Sequence, residues 1–220
     1  MAMVDVALKP AIRTALRLHE IGDATPYKLF FAGKGKSGGS FGFMQGDLAA
    51  GQPEVRKAFE AILAAAKIAS AKVAAREAPQ TAHCIDNPLS ATDTALVNGA
   101  LASAAGRPLV DAMDETILGG VYAGLDKCIA AATAGGRAIE PKALLYMAMW
   151  INMSGPPSTL TTWVSGKPVA MASALGPPGG DVDGPAMEAY LRATNYYAEN
   201  PGNLPHTMQC AAAGMAALDS

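Results

Sequence analysis

Two carboxylates near the start of the chain have the residue type and spacing that acid–base chemistry requires. Glu20 ends a helical pattern, and Asp47 closes the segment Ser37–Asp47, which reads Ser-Gly-Gly-Ser-Phe-Gly-Phe-Met-Gln-Gly-Asp. Glycine-spaced aromatic residues that lead into Met-Gln-Gly-Asp are hard to explain by packing alone. Two carboxyl groups across a cleft are the minimum equipment for hydrolysing a glycosidic bond. The sequence therefore predicts that Glu20 and Asp47 face each other across one cleft.

The position of Glu20 favours a role as a general acid. The pattern predicts a first helix from Pro10 to about Ile21, with Glu20 about 40° beyond Leu16 at the border of its apolar stripe. Partial burial and the negative end of the helix dipole both disfavour the charged form of a carboxyl group. A general acid must hold a proton that it can donate. The alternative is an ordinary solvated residue at the end of a helix.

Asp47 and Asp23 each allow two interpretations. Asp47 lies between Gly46 and an alanine-rich turn, so it is either a catalytic carboxylate or a cap of a turn or helix. Asp23 has the same ambiguity and is an alternative acid or base close to Glu20. Gln45 has an amide that can hydrogen-bond an N-acetyl group or position water.

The loop Gly33–Gly39 contains Gly-Lys-Ser but does not fit a phosphate-binding loop. The P-loop pattern requires a glycine five residues before the final Gly-Lys pair, and that position is Phe30. The loop is instead predicted to be a hairpin tip, with its lysines at the rim of a substrate cleft. The residues predicted to bind substrate on this hairpin are Lys36, Ser40, Gly42, Phe43 and Gln45.

Apart from this hairpin, the chain reads as helical. Short strands are predicted at 27–32 and at 40–44, and aromatic residues occupy alternate positions in the second of them. The fold class is therefore α+β, mainly α, in one domain 1–220 with a β-hairpin sub-lobe at about 24–48 and a helical lobe at about 53–220. The later helices are predicted from Pro53 towards Glu77, from the candidate N-caps Ser90 and Thr92 through Leu101, and, after the break at Gly106-Arg107-Pro108, to about Thr133. Further helices are predicted at 141–153, 158–165, 184–198 and 204–218.

Composition excludes several classes of protein. The 220 residues are half hydrophobic and 16% charged with a net charge of −2, which argues against a nucleic-acid binder. Three widely spaced cysteines and three scattered histidines predict neither a disulfide framework nor a metal site, and no cofactor is expected. No signal peptide and no uncharged apolar run of roughly 18 residues is recognised, so no membrane span is expected. We expect a soluble cytoplasmic product that another system releases or delivers to the cell wall.

The stretch from Leu18 to Leu48 resembles the lysozyme-like superfamily. It is most similar to goose-type lysozymes and soluble lytic transglycosylases, in which a catalytic Glu precedes a Gly-Phe-Gly-Leu-Met-Gln-x-Asp type of segment. The order of helix and hairpin also resembles the phage lysozymes. The resemblance implies a lysozyme-like fold and an antimicrobial, endolysin-like muramidase. Such an enzyme cleaves the β-1,4 bond between N-acetylmuramic acid and N-acetylglucosamine in peptidoglycan.

The resemblance also implies roles for individual residues. Glu20 matches the general acid, Asp47 the acidic residue that positions the attacking water, and Gln45 the glutamine that lines the sugar cleft. Inverting hydrolysis is the preferred mechanism, with retaining hydrolysis and transglycosylation left open. Glu20 is followed by Ile-Gly where the transglycosylases have Ser. The alternatives are a chitosanase- or chitinase-like glycosidase acting on a related amino-sugar polymer, a non-catalytic glycan-binding protein, and an unrelated helical protein in which the motif arose by chance.

Overall fold

The computed structural model describes residues 3–33, 37–68, 77–80, 86–155 and 157–218. These residues are mainly helical and include a small antiparallel sheet of three strands, which confirms the prediction of a mainly α, α+β fold. Contacts divide the chain into two compact units. We call Glu20–Leu118 the sheet unit, and Met1–His19 together with Gly119–Ser220 the helical unit. The one-domain assignment of the whole chain stays a prediction.

The sheet has one strand more than the predicted hairpin. Its strands are β1 (Phe30–Phe31), β2 (Gly39–Phe41) and β3 (Gly46–Asp47), in the order β1-β2-β3. The predicted strand at 40–44 was wrong beyond residue 41, because Gly42 takes a φ of +79° and Gln45 a φ of +52°. These left-handed conformations turn the chain back on itself, so residues 42–45 connect β2 to β3.

Helices pack against this sheet within the sheet unit. Helix α2 ends earlier than predicted, because Ala66 closes the last turn and Lys67 takes a φ of +53°. The predicted cap Ser90 is confirmed: its hydroxyl accepts the Asp93 N–H at 3.1 Å and begins α3. Among the described residues, the helices of this unit include α2 (Pro53–Ala65), α3 (Ala91–Ala102) and the first part of α4 (Gly106–Ala134). Their shared core includes Phe41, Leu48, Phe59, Ile62, Leu101 and Val110.

The helical unit takes the rest of α4 and most of the remaining helices. The predicted helix at 184–198 is two helices, because Thr194 is extended (ψ 151°) and its hydroxyl caps the next segment by accepting the Tyr197 N–H. The helices are α1 (Lys9–Ile21, whose last residues belong to the sheet unit), α5 (Pro141–Ser154), α6 (Ser158–Val164), α7 (Gly184–Ala193), α8 (Asn195–Glu199) and α9 (Leu204–Leu218).

Small residues allow close helix packing in the helical unit. A Cβ on Gly214 of α9 would lie 2.8 Å from the Ala11 carbonyl oxygen and 2.9 Å from Leu145 Cδ1, so only glycine fits there without displacement. The unit also buries an aromatic pair, Trp163 and Tyr190, whose ring centroids are 4.8 Å apart. The indole N–H of Trp163 donates to the Gly176 carbonyl at 2.9 Å, so its one polar group is satisfied.

Helix α4 is long and apolar enough to cross a membrane when judged by length and composition alone. Core helices of globular proteins meet the same criterion, and no other helix among the residues that the structure describes meets it. A single such helix is weak evidence, so the structure gives no clear membrane span.

Two buried acids in the helical unit predict a loss of stability in alkali. Burial raises the pKa of the Cys128 thiol from 9.0 to about 12. Burial also raises the pKa of Tyr190 from 10.0 to about 12, with the charge of Cys128 acting in the same direction. The folded state therefore favours both neutral forms. The stability that the folded state gains from these two neutral groups is fully present below pH 9 and is lost as the pH rises towards 12.

We expect the free energy of unfolding to fall by about 1.4 kcal/mol per pH unit for each group in this window. Urea unfolding between about pH 8 and about pH 11 measures the slope. A Cys128→Ala variant should give a shallower slope, since one of the two groups is gone. Equal slopes for the two proteins would contradict the assignment to Cys128.

Candidate active site

Glu20 lies half-buried in the last turn of α1. The helix ends where the sequence predicts, because Gly22 takes a φ of +54°, a conformation that glycine adopts at little cost. The following turn is closed by the Ala24 N–H, which donates to the Ile21 carbonyl at 3.0 Å. Asp23, the alternative acid or base, is exposed in this turn. Glu20 and Asp23 both belong to the sheet unit, as does Asp47.

Asp47 lies on β3, opposite Ser40 of β2, and is half-buried. Its Oδ1 accepts two backbone N–H groups, from Gly38 at 2.9 Å and from Ala49 at 2.8 Å. Its Oδ2 has no hydrogen-bond partner among the described residues. The carboxylate therefore caps the turn, as one of the two sequence interpretations predicts, and the two bonds to Oδ1 hold it in one orientation.

Three of the residues predicted to bind substrate are hydrogen-bonded to one another. The Ser40 hydroxyl donates to Gln45 Oε1 at 2.8 Å, and Gln45 Nε2 donates to the Gly42 carbonyl at 2.9 Å. Phe43 is only 4% exposed, so its ring is part of the interior. Lys36, the fifth predicted residue, lies outside the described residues. In this arrangement the side chains of Ser40 and Gln45 hold the turn between β2 and β3.

A buried carboxylate that the sequence analysis did not single out supports this turn. Asp114 of α4 is fully buried, and its two oxygens accept the backbone N–H groups of the turn: Oδ2 from Phe43 at 2.9 Å and Oδ1 from Met44 at 3.0 Å. Charge-assisted bonds of this kind are stronger than neutral ones. Asp114 therefore fixes the segment that leads from Gly42 to Asp47.

A sequence signal for Asp114 was available. Buried residues of α4 recur at helical spacing, and Asp114 occupies a position in that apolar stripe beside Val110, Met113 and Leu118. Charged residues are almost never fully buried unless they are paired. A carboxylate in the middle of an apolar stripe therefore predicts a set of buried donors, although the sequence does not identify them.

Gly42 is required by its contact with Asp114. A Cβ at this position would collide with Asp114 Oδ1 and Cγ, and the φ of +79° is one that side chains rarely adopt. We expect Gly42→Ala to destabilise the protein by several kcal/mol, about 1 kcal/mol from the backbone and the rest from the clash. Gly51→Ala is the matched control, since Gly51 has a φ of +74° with nothing within 4 Å.

Chemical denaturation of both variants measures the difference. Equal losses for Gly42→Ala and Gly51→Ala would contradict the role of the contact, because the two changes share only the backbone strain.

Two further glycines of the segment, Gly38 and Gly39, also face protein atoms. A Cβ on Gly38 would lie 2.8 Å from Ala49 Cβ, and one on Gly39 would lie 2.9 Å from Pro79 Cβ. Packing against these atoms accounts for the absence of a side chain at both positions.

Tyr27, near β1, has a raised pKa. Tyr27 donates its O–H to Asp111 Oδ1 at 3.0 Å, and the Arg107 guanidinium lies 5.1 Å from the centre of its ring. Burial, followed by the hydrogen bond to Asp111, raises the pKa of Tyr27. The raised pKa favours the protonated form, which is the form that donates to Asp111.

The arrangement provides carboxyl groups on a rigid support, which suits proton transfer and the positioning of water. Among the described residues there is no group of three His, Cys, Asp or Glu side chains placed to hold a metal ion. No family model, no curated protein and no solved structure matches the chain.

Proposed function

We propose that the protein is a glycoside hydrolase that cleaves the β-1,4 bond between N-acetylmuramic acid and N-acetylglucosamine in peptidoglycan. Glu20 is the general acid, and Asp47 positions the attacking water. The observation that carries the proposal is the state of the Asp47 carboxylate. Two backbone N–H groups fix Oδ1, while Oδ2 is without a hydrogen-bond partner among the described residues. An oriented carboxylate with one available oxygen is suited to hold a water molecule.

The support around Asp47 adds to the proposal. Asp114 accepts two backbone N–H groups of the turn that precedes β3. A hydrogen bond between the side chains of Ser40 and Gln45 also stabilises this turn. Preorganised groups cost no rearrangement when a reaction occurs, so a rigid turn around Asp47 suits catalysis. The half-buried position of Glu20 in the last turn of α1 is also compatible with an acid that is partly shielded from water.

In the proposed reaction, Glu20 in its protonated form donates its proton to the glycosidic oxygen as the bond to the sugar breaks. Asp47 Oδ2 accepts a hydrogen bond from a water molecule and directs its oxygen to the anomeric carbon. One proton goes to the leaving sugar and the water supplies the new hydroxyl, with its remaining proton passing to Asp47. Inversion requires about 6.5–9.5 Å between the two carboxyl groups, whereas about 5–5.5 Å favours retention.

A second candidate is a glycan-binding protein without catalysis. It is favoured by the use of Asp47 Oδ1 as a turn cap, because a carboxylate in this position has a structural role that does not depend on turnover. The two candidates differ in one measurable respect: only the enzyme releases new sugar ends from a polymer that it binds.

The experiment incubates the protein with purified peptidoglycan, and in parallel with chitin and chitosan, and identifies the products by mass spectrometry. Muropeptides with reducing ends support a muramidase, anhydro-sugars indicate a transglycosylase, and products from chitosan or chitin alone identify the related glycosidases. Binding without any product would overturn catalysis in favour of the second candidate.

An Asp47→Asn variant tests the role of the second carboxylate. Asparagine retains an oxygen that can accept the Gly38 and Ala49 N–H groups, so we expect little loss of stability. Turnover should fall by about 10²–10⁴-fold, because the amide cannot take a proton from water. Unchanged turnover would remove Asp47 from the reaction, and Asp23→Asn would then test the alternative acid or base.

A further inference from the structure

A second candidate binding site lies wholly within the helical unit, on different elements from Glu20 and Asp47. It is a pocket of about 310 Å³ formed by α5, α6, α7, α8 and the segment at Ala170–Met171. This volume is at the lower end of the range for small-molecule sites, which is about 300–1,000 Å³. The pocket therefore has room for a small ligand or for one unit of a polymer.

The lining of the pocket is aromatic and polar. Trp150 is partly exposed, Tyr196 is 38% exposed, and Tyr190, which also lines the pocket, is 1% exposed. Asn195 and Thr159 add an amide and a hydroxyl, and neither side chain has a hydrogen-bond partner among the described residues. Aromatic faces beside unused polar groups match a ligand that is apolar on one face and hydroxylated at its edge.

The lining also carries no charge, since none of the described residues around the pocket is Asp, Glu, Lys or Arg. A buried or partly buried anion would need a compensating cation here. The pocket therefore favours a neutral ligand over a phosphate, a nucleotide or an acidic sugar.

The aromatic groups are fixed before any ligand arrives. The Tyr196 hydroxyl accepts the Asn203 Nδ2–H at 2.8 Å, and its ring meets that of Tyr197 edge-on with centroids 5.0 Å apart. The ring of Tyr197 in turn lies 6.1 Å from that of Trp150. Fixed rings lose little conformational freedom on binding, and preorganisation of this kind increases affinity.

We propose that this pocket is a carbohydrate-binding subsite for a neutral pyranose, stacked on Trp150 and Tyr196 and hydrogen-bonded by Asn195 and Thr159. The preference for a neutral sugar follows from the pocket alone. The choice of N-acetylglucosamine as that sugar rests on the proposed function, since it is the neutral sugar of peptidoglycan. The subsite holds a glycan chain on the helical unit while bond cleavage belongs to the sheet unit.

The test uses the full chain carrying Glu20→Gln, which prevents consumption of the ligand, and titrates it with the β-1,4 trimer of N-acetylglucosamine. Tryptophan fluorescence follows binding, because Trp150 lines the pocket. We expect a further Tyr196→Ala change to raise Kd by about tenfold, since one stacking surface is lost. Tyr122→Ala is the matched control: Tyr122 is a partly exposed tyrosine of α4 that does not line the pocket.

Two results would overturn the subsite: no binding of the trimer, or equal binding by the Tyr196→Ala and Tyr122→Ala variants. The glucosamine trimer, in which the N-acetyl groups are replaced by charged amines, should bind more weakly to the uncharged pocket; equal or tighter binding would contradict its preference for neutral sugars. These measurements distinguish loss of the subsite from loss of the proposed enzymatic activity. An inactive protein whose trimer binding depends on Tyr196 retains the subsite without catalysis, whereas an active enzyme with no such dependence loses the subsite alone.

Discussion

Replacing Asp114 with alanine is expected to lower the free energy of unfolding of the sheet unit by about 3–5 kcal/mol. The carboxylate is fully buried and accepts the N–H groups of Phe43 and Met44 at 2.9 and 3.0 Å. Alanine leaves both donors buried without these acceptors and creates a cavity between α4 and the turn. Removing one partner of a buried hydrogen bond costs more than the bond itself contributes.

Urea unfolding measures the loss, and amide hydrogen exchange at Phe43 and Met44 locates it. Protection of these two amides should fall further than protection in the core of α2. The Asp114→Asn variant retains one carbonyl oxygen. Its free energy of unfolding should therefore lie between those of the Asp114→Ala variant and the wild type. Asp111→Ala is the control on the same helix, since Asp111 is exposed and its bond to Tyr27 lies at the surface. If Asp114→Ala cost no more than Asp111→Ala, Asp114 would not be the support of the turn.

Replacing Glu20 with glutamine is expected to reduce turnover of peptidoglycan by about 10²–10⁴-fold, the usual contribution of a general acid. The amide has nearly the same shape but has no acidic proton to donate. Stability should change by no more than about 1 kcal/mol, because glutamine has nearly the same size and both residues are good helix formers. The assay is release of reducing ends from a suspension of purified cell walls.

Glu60→Gln is the matched control for this prediction. Glu60 is an exposed glutamate of α2 in the same unit, and the same change there should leave turnover as it is. Thermal unfolding of both variants separates a chemical effect from loss of fold. Clearing of cell walls by Glu20→Gln at the wild-type rate would remove Glu20 from the mechanism.

Helix boundaries could be predicted wherever a local signal defines them. Gly22 ends α1 through its positive φ, Ser90 caps α3 through its hydroxyl, and the bounds Leu204–Leu218 of α9 agree with the sequence pattern. Each signal acts within one or two turns of the chain, so the sequence contains all that is needed. The break at Thr194 was missed because a threonine inside a helical pattern is compatible both with a continuous helix and with a new cap.

The candidate site could be predicted only in part, for a physical reason. The two carboxylates and their residue types were visible in the sequence, and so was the interpretation of Asp47 as a turn cap. The reversal of the chain at residues 42–45 could not be predicted from the sequence. It depends on Asp114, about 70 residues later, and on the lack of a side chain at Gly42. Alternating Phe41 and Phe43 therefore read as one strand, although only Phe41 is in β2.

The distance in sequence between Asp114 and the turn has a consequence for the time at which the turn forms. During synthesis, residues 37–49 leave the ribosome long before residue 114 does, so the segment exists first without the carboxylate that holds it. Closing a loop of this length costs entropy that is recovered only when the non-local bonds form. A peptide or a truncated chain ending before α4 thus contains the motif and its local hydrogen bonds without the two bonds from Asp114. The turn that precedes Asp47 would gain this buried support only after about half of the chain had been made.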